Sequence, residues 1–209
     1  MYTPEHFREA RPEVLRAFIA RHPLGALIAH GPEGLCVELA PMQLSAHAEG
    51  EGRLRGHLAR ANPFWRTLAP GAPVLTLFRG AAHYVSPSWY PAKREHGRVV
   101  PTWNYVAVQV RGTIRFFEDA RWLATLVEAL TDEHEQPRAA PWRVADAPAD
   151  YVAGMLRAIV GFEIEISAIE GKFKASQNRS DSDRAGVRAG LCEAGVSAAD
   201  IAELCLDPL

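Results

Sequence analysis

The chain is poor in the features that tie a sequence to a membrane, a disulfide scaffold or a familiar catalytic loop. Among its 209 residues no apolar run reaches membrane-spanning length. Its start, Met1-Tyr-Thr-Pro-Glu-His, lacks the basic and apolar regions of a secretory leader. Only three cysteines occur, Cys36, Cys192 and Cys205, at unrelated spacings. That excludes a CxxC pair and a disulfide framework and points to a reduced, cytoplasmic protein. A net charge of −2 provides no overall field toward nucleic acid or anionic lipid. Phosphate loops, GxGxxG turns after a strand and GxSxG elbows are all missing. The eight histidines form neither HExxH nor a zinc-spaced cluster, and no spacing suggests a Ser-His-Asp or Cys-His arrangement. Classical hydrolase and metalloenzyme chemistry is thereby disfavoured.

What is there is an ordinary globular composition, 48% hydrophobic and 23% charged, long enough for one domain with a small appendage. Thr3 and Pro4 read as an N-cap and first helical residue. Phe7, Ala10, Val14, Leu15, Phe18 and Ile19 then recur at helical spacing, which predicts an amphipathic helix over 4–21. Short strands follow, at Leu24–Ala29, Leu35–Leu44, Arg53–Gly56 and Val74–Phe78. Turns at Gly31–Gly34, Glu49–Gly52 and Pro70–Pro73 separate them. Tyr105–Phe117 is a longer strand with a period-two face. Asp119 opens a helix carrying Trp122, Leu123, Leu126, Val127 and Leu130, and Tyr151–Ile159 reads as another. Ile159–Ile169 alternates as a strand, and 180–209 reads as a separate helical segment with a capping box at Ser197 and Asp200. Tight turns without long crossovers predict an antiparallel β-barrel with flanking helices, an α+β protein. The expected division is a barrel domain over 1–179 and a helical extension over 180–209.

Two proline-broken segments carry the strongest chemical signal: Tyr84-Val-Ser-Pro-Ser-Trp-Tyr-Pro91 and Val100-Pro-Thr-Trp-Asn-Tyr105. Aromatics interleaved with hydroxyls and an amide suit a flat, heteroatom-rich ligand, held by stacking and a few hydrogen bonds. A β-rich core with aromatic loops fits the same composition. In Gly56-His-Leu-Ala-Arg-Ala-Asn-Pro63, His57, Arg60 and Asn62 offer cationic and amide donors beside a helix start, a set suited to a phosphate monoester. The alternative there is a surface turn with one basic residue. Gly171-Lys-Phe-Lys-Ala-Ser-Gln-Asn-Arg179 crowds Lys172, Lys174, Gln177, Asn178 and Arg179 into one loop. The Gln177 and Asn178 amides match a uracil-like edge. Pro41, inside Glu38–Ser45, argues for a sheet edge or a bulge near a ligand. His83 reads as a core or edge histidine, and His134 as a solvated one at a helix end.

In this order, the first helix, the His57–Pro63 run, Tyr84–Tyr90, Val100–Tyr105 and Lys172–Arg179 resemble the PaiB-type family of FMN-binding negative transcriptional regulators, from the first helix to about Leu191. The resemblance implies a flavin-binding split barrel and a homodimer with FMN sites at the subunit interface. It implies that Arg60 and Asn62, with His57 nearby, hold the FMN phosphate. Trp103 and Asn104 would flank the ring or ribityl chain, and Ser88, Trp89 and Tyr90 would close the pocket with the Lys174–Asn178 loop. No helix-turn-helix accompanies the regulator label, and the acidic balance argues against direct DNA binding. An FMN-dependent oxidoreductase or flavin reductase using a reduced nicotinamide is the alternative, with Lys174 or Gln177 steadying the anionic reduced ring. Heme or pyridoxal phosphate in the same cleft stays open.

Overall fold

The computed structural model describes residues 1–45 and 52–206. Among the described residues, seven strands and seven α-helices follow one another. The strands are β1 (Arg8–Glu9), β2 (Leu24–Gly31), β3 (Gly34–Ser45), β4 (Arg53–Ala59), β5 (Ala72–Val85), β6 (Thr102–Phe117) and β7 (Ile159–Lys174). The helices are α1 (Pro12–Arg21), α2 (Phe64–Thr67), α3 (Ala92–Glu95), α4 (Ala120–Glu135), α5 (Ala149–Arg157), α6 (Asp181–Glu193) and α7 (Ala198–Cys205). The sheet order is β1-β7-β4-β3-β2-β5-β6, and β6 also pairs with β7, so the order closes on itself as in a barrel. The registered ladders are antiparallel, as the tight turns predict. Most of the predicted turn at Glu49–Gly52 lies outside the described residues.

The predicted helix over 4–21 is a correction. Glu5–Phe7 forms a 3-10 turn, Arg8 and Glu9 are extended, and the α-helix starts only at Pro12. Two forces win over the helical spacing. Arg8 and Glu9 pair with Lys172 and Gly171 of β7, and Pro12, lacking an N–H, takes the first helical position at no cost. The Glu9 carboxylate accepts from the Arg11 backbone N–H at 2.8 Å and pairs with its guanidinium at 2.6 Å, fixing the bend.

The Pro41 reading is also revised: β3 is not an edge. Pro41 sits where β3 changes partner, facing Leu24 of β2, while Met42 begins the pairing with Gly56 of β4. A residue at that switch needs no ladder N–H, which is why proline is tolerated.

The described residues form two compact units. Unit 1 holds Met1–Phe18, Arg79–Gln109 and Glu170–Leu209; unit 2 holds Ile19–Phe78 and Val110–Ile169. In unit 1, Val85, Tyr90, Val187, Leu191, Ile201 and Leu204 make a buried apolar cluster, so the C-terminal helices contribute to its core. Phe18 meets Phe173 with ring centres 5.6 Å apart. In unit 2, α4 lies on β7: a Cβ at Gly161 would come 2.1 Å from the Trp122 indole, and Phe117 stacks on Trp122 at 4.4 Å. Asp119 caps α4 by accepting from Trp122 N at 2.8 Å, as its sequence position predicts. Glu163, nearly buried, is held between Arg53 at 3.1 Å and Arg55 at 2.7 Å. Among the described residues no helix is long and apolar enough to cross a membrane.

Candidate functional site

The residues expected at the phosphate end lie in unit 2. His57 is half-buried on β4, opposite Gly161 of β7. Its Nδ1 finds no hydrogen-bond partner, and burial holds its pKa below the ordinary imidazole value. Arg60 follows β4. Its Nε donates to the Arg157 carbonyl at 2.7 Å and its Nη1 is bonded to the Glu118 carboxylate. Its own carbonyl accepts from Trp65 Nε1 at 3.0 Å. Asn62 Oδ1 accepts from Phe64 N at 2.9 Å, an Asx turn that leads through Pro63 into the short α2. The predicted strand, turn and proline-led helix are therefore all present. The Arg60 guanidinium, however, already has an acidic neighbour that the sequence reading did not identify.

The remaining predicted residues lie in unit 1. Ser86 accepts from Ser88 N at 3.2 Å and starts a single 3-10 turn, Pro87–Trp89. Ser88 is exposed and its hydroxyl accepts from Lys93 Nζ at 3.0 Å. Trp89 stacks on His83, with centroids 5.9 Å apart, and presses against the backbones of Gly186 and Gly190 in α6. Tyr90 is buried and its hydroxyl has no partner. Trp103 is 55% exposed and meets Tyr84 edge-on at 6.2 Å, so the two rings leave an aromatic surface open to solvent.

Asn104 is fully buried and exchanges two hydrogen bonds with Ser176: Nδ2 donates to Oγ at 3.0 Å and Oγ donates to Oδ1 at 3.2 Å. Ser176 has a left-handed backbone, φ 63°, which a non-glycine residue adopts only under local constraint. Gln177 supplies more of that constraint, since its Oε1 accepts from Ala175 N at 2.8 Å and its Nε2 donates to the Phe173 carbonyl. The Gln177 amide thus staples its own loop, while Asn178 stays exposed. Lys174 donates to Thr102 Oγ1, and its ammonium lies 6.0 Å from the Tyr105 ring centre. Burial above all holds the Lys174 pKa below the ordinary amine value. Tyr105 acts in the opposite direction, and Lys172 and Arg179 add to the depression.

Direct contacts thus join Asn104 to the loop after β7, and Lys174 to the Val100–Tyr105 segment. Ser176, Thr102 and Glu118 were missed. Ser176 stands inside a segment already singled out, but nothing in a serine announces a left-handed backbone. Asp183 was missed as well: buried on α6, it accepts from Ala92 N at 3.2 Å, just after the aromatic turn. Beside Ser176 is a cavity of about 280 Å³, lined also by Arg184, Val187 and Arg188. A groove of about 720 Å³ in unit 2, lined by Gln43, Glu133, Trp142 and Arg143, contains none of the predicted residues.

The sequence profile of a family described as "Putative FMN-binding domain" matches residues 1–168. The "Protease synthase and sporulation protein PAI 2" of Bacillus subtilis is 30% identical over 210 residues, covering 100% of this chain and 98% of that one. An uncharacterized protein of Emericella nidulans is 33% identical, covering 95% of this chain and 93% of its own. Among solved structures, the FAD and heme binding protein from Mycobacterium smegmatis superimposes with a TM-score of 0.60 at 17% identity. That match covers 86% of this chain and 79% of the other. A flavocytochrome from Azotobacter vinelandii reaches 0.58 at 12% identity, covering 86% and 75%. At such identities the structural likeness bears on the fold, a split barrel, and on nothing finer.

Proposed function

Because the chain belongs to the PaiB-type family of FMN-binding domain proteins, we propose that it is a flavoprotein that binds FMN and acts as a regulatory or sensing protein. The observation that carries the reading is the donor set of unit 1. It combines the open Trp103 and Tyr84 surface, a buried Tyr90 hydroxyl without a partner and a half-buried Lys174 at the end of β7, where a pre-shaped loop begins. Those groups fit a planar, heteroatom-rich and negatively charged ligand. When bound, FMN supplies electron transfer.

The protein's part is to bind, orient and shield. Trp103 offers a stacking face, and Ser88, Trp89 and Tyr90 wall the pocket. Asn104 holds the Lys174–Asn178 loop in shape through Ser176. Arg60, with His57 and Asn62 near it in unit 2, is a separate candidate for holding a phosphate monoester, which would exchange with Glu118 at the guanidinium. The Glu118 carboxylate lies toward solvent and is rehydrated cheaply, so the exchange costs little. Direct reading of DNA is not part of the proposal, because the exposed side of α6 mixes Asp181 and Glu193 with Arg184 and Arg188.

We further assign a homodimer. On β2 and β3, Leu24 is 59% exposed, Leu35 78%, Val37 58% and Leu39 65%. They share one face of a two-stranded ladder, since Leu24 stands opposite Pro41 and the three β3 residues alternate outward. A contiguous apolar strip of that kind suits a second copy of the same sheet.

Titration of dialysed protein with FMN, followed by flavin fluorescence and absorbance, tests the reading. Saturable quenching near about one FMN per chain is expected, and absence of binding at tens of micromolar overturns it. Adding NADH or NADPH to the complex then separates a sensor, which leaves the flavin oxidised, from a flavin reductase.

A further inference from the structure

Three cations at the end of β7 and in the loop after it are half-buried and close together. Lys172 Nζ lies 5.4 Å from the Tyr105 ring centre and donates to the Tyr2 carbonyl at 3.0 Å. Lys174 Nζ approaches the same Tyr105 ring and bonds Thr102 Oγ1. The Arg179 guanidinium sits 4.9 Å from the centre of the buried Tyr90 ring. Among the described residues none of the three pairs with a carboxylate. The acids around them in unit 1 are engaged elsewhere. Glu170 meets the Met1 amine and Gln109, Asp183 accepts from Ala92 N, and Asp181 faces Arg184 at 3.6 Å.

Lysines are ordinarily exposed, and half-buried cations are ordinarily paired. Aromatic faces offset part of their desolvation but do not neutralise charge. The loop is also pinned before any ligand arrives, by the Asn104–Ser176 exchange and the Gln177 staple. A strand end and a pinned loop that together hold three cations without acids lose little freedom on binding an anion.

We propose that Lys172, Lys174 and Arg179 form an anion-binding site that takes the negative charge of the bound ligand. For the identity of that ligand the proposal rests on the FMN reading; anion binding itself does not depend on it. The negative charge has two sources in FMN, the phosphate monoester and the pyrimidine edge of the reduced ring. If it is the phosphate, Arg60 loses that assignment.

The test uses the full chain and its Lys172→Gln, Lys174→Gln and Arg179→Gln variants, with Lys174→Arg as the charge-retaining control and circular dichroism to confirm folding. Inorganic pyrophosphate is the first probe, read as a shift in thermal midpoint. It should stabilise wild type and Lys174→Arg, and stabilise the Gln variants much less. Flavin affinities then locate the charge. FMN weakened by about tenfold or more with riboflavin unchanged identifies the phosphate. Unchanged oxidised flavins with a lowered flavin reduction potential identify the reduced ring. The proposal is overturned if pyrophosphate and both flavins, oxidised and reduced, treat the folded Gln variants as they treat wild type. Wild type that responds to pyrophosphate but binds no flavin would remove the FMN reading and leave the anion site standing.

Discussion

Gly190 of α6 lies flat against the Trp89 indole: a Cβ added there would come 2.1 Å from Cδ2 and 2.4 Å from Cε2. At Gly186, one turn earlier, an added Cβ would come 2.0 Å from the Trp89 carbonyl oxygen. The C-terminal helices therefore form the wall behind the aromatic turn, and no larger residue fits in that wall. Gly190→Ala should displace Trp89 and destabilise the protein by about 1–3 kcal/mol, the cost of overpacking. Gly154→Ala is the contrast, because its nearest neighbour would be an Arg157 nitrogen at 3.8 Å. In that exposed helix alanine should stabilise by about 0.5–1 kcal/mol. Urea melts of both variants, with tryptophan fluorescence for Gly190→Ala, decide it. Equal effects at the two sites would contradict the packing.

Arg60 and Glu118 give a paired prediction. If the phosphate exchanges with Glu118, Arg60→Ala should weaken FMN by about 1.5–3 kcal/mol, the scale of a charged hydrogen bond. Glu118→Gln, which leaves Arg60 in place but removes its competitor, should strengthen FMN. Riboflavin, without a phosphate, should respond to neither. FMN affinities that stay level in both folded variants would release Arg60 from the site.

The fold was legible where local signals and tertiary pairing agree. Alternating Val106, Val108 and Val110 marked β6, Asp119 marked the start of α4, and Ser197 with Asp200 marked α7, where the Ser197 hydroxyl accepts from Asp200 N at 3.1 Å. The start of the chain misled because Thr3-Pro4 and Pro12 are both helix openings by local rules. Pairing with β7 chose Pro12. Strand β5 was read as ending at Phe78 because Gly80-Ala81-Ala82 shows no alternation. It runs on to Val85, with small residues where Glu203 and Phe18 crowd Gly80. In the site, residue types were legible but partners were not. Arg60 finds Glu118 58 positions away and Asn104 finds Ser176 72 away. No local pattern encodes either meeting.

The exposed strip on β3 leads to a prediction about assembly. Val37→Lys places a charge in its middle without touching the buried side of the strand. If the strip is covered by a second copy, the variant should elute as a folded monomer, since an unpaired charge in an apolar contact is costly. Light scattering on the eluting peak gives the mass. A wild-type monomer, or a variant whose mass matches a wild-type dimer, would leave the strip without its assigned occupant.

His57 predicts how stability depends on pH. Burial lowers its folded pKa below the ordinary imidazole value of about 6.5, so in the acid range the unfolded chain binds a proton that the folded chain refuses. Stability from this group is complete above about pH 6.5, the unfolded value. It falls as the pH drops through the folded value, and below that value the loss is complete. His57→Gln has no proton to refuse, so it should flatten that part of the profile. Urea midpoints of the ligand-free protein between about pH 4.5 and 8 provide the comparison. Parallel profiles for wild type and the variant would mean that His57 is solvated and that the acid sensitivity comes from other groups.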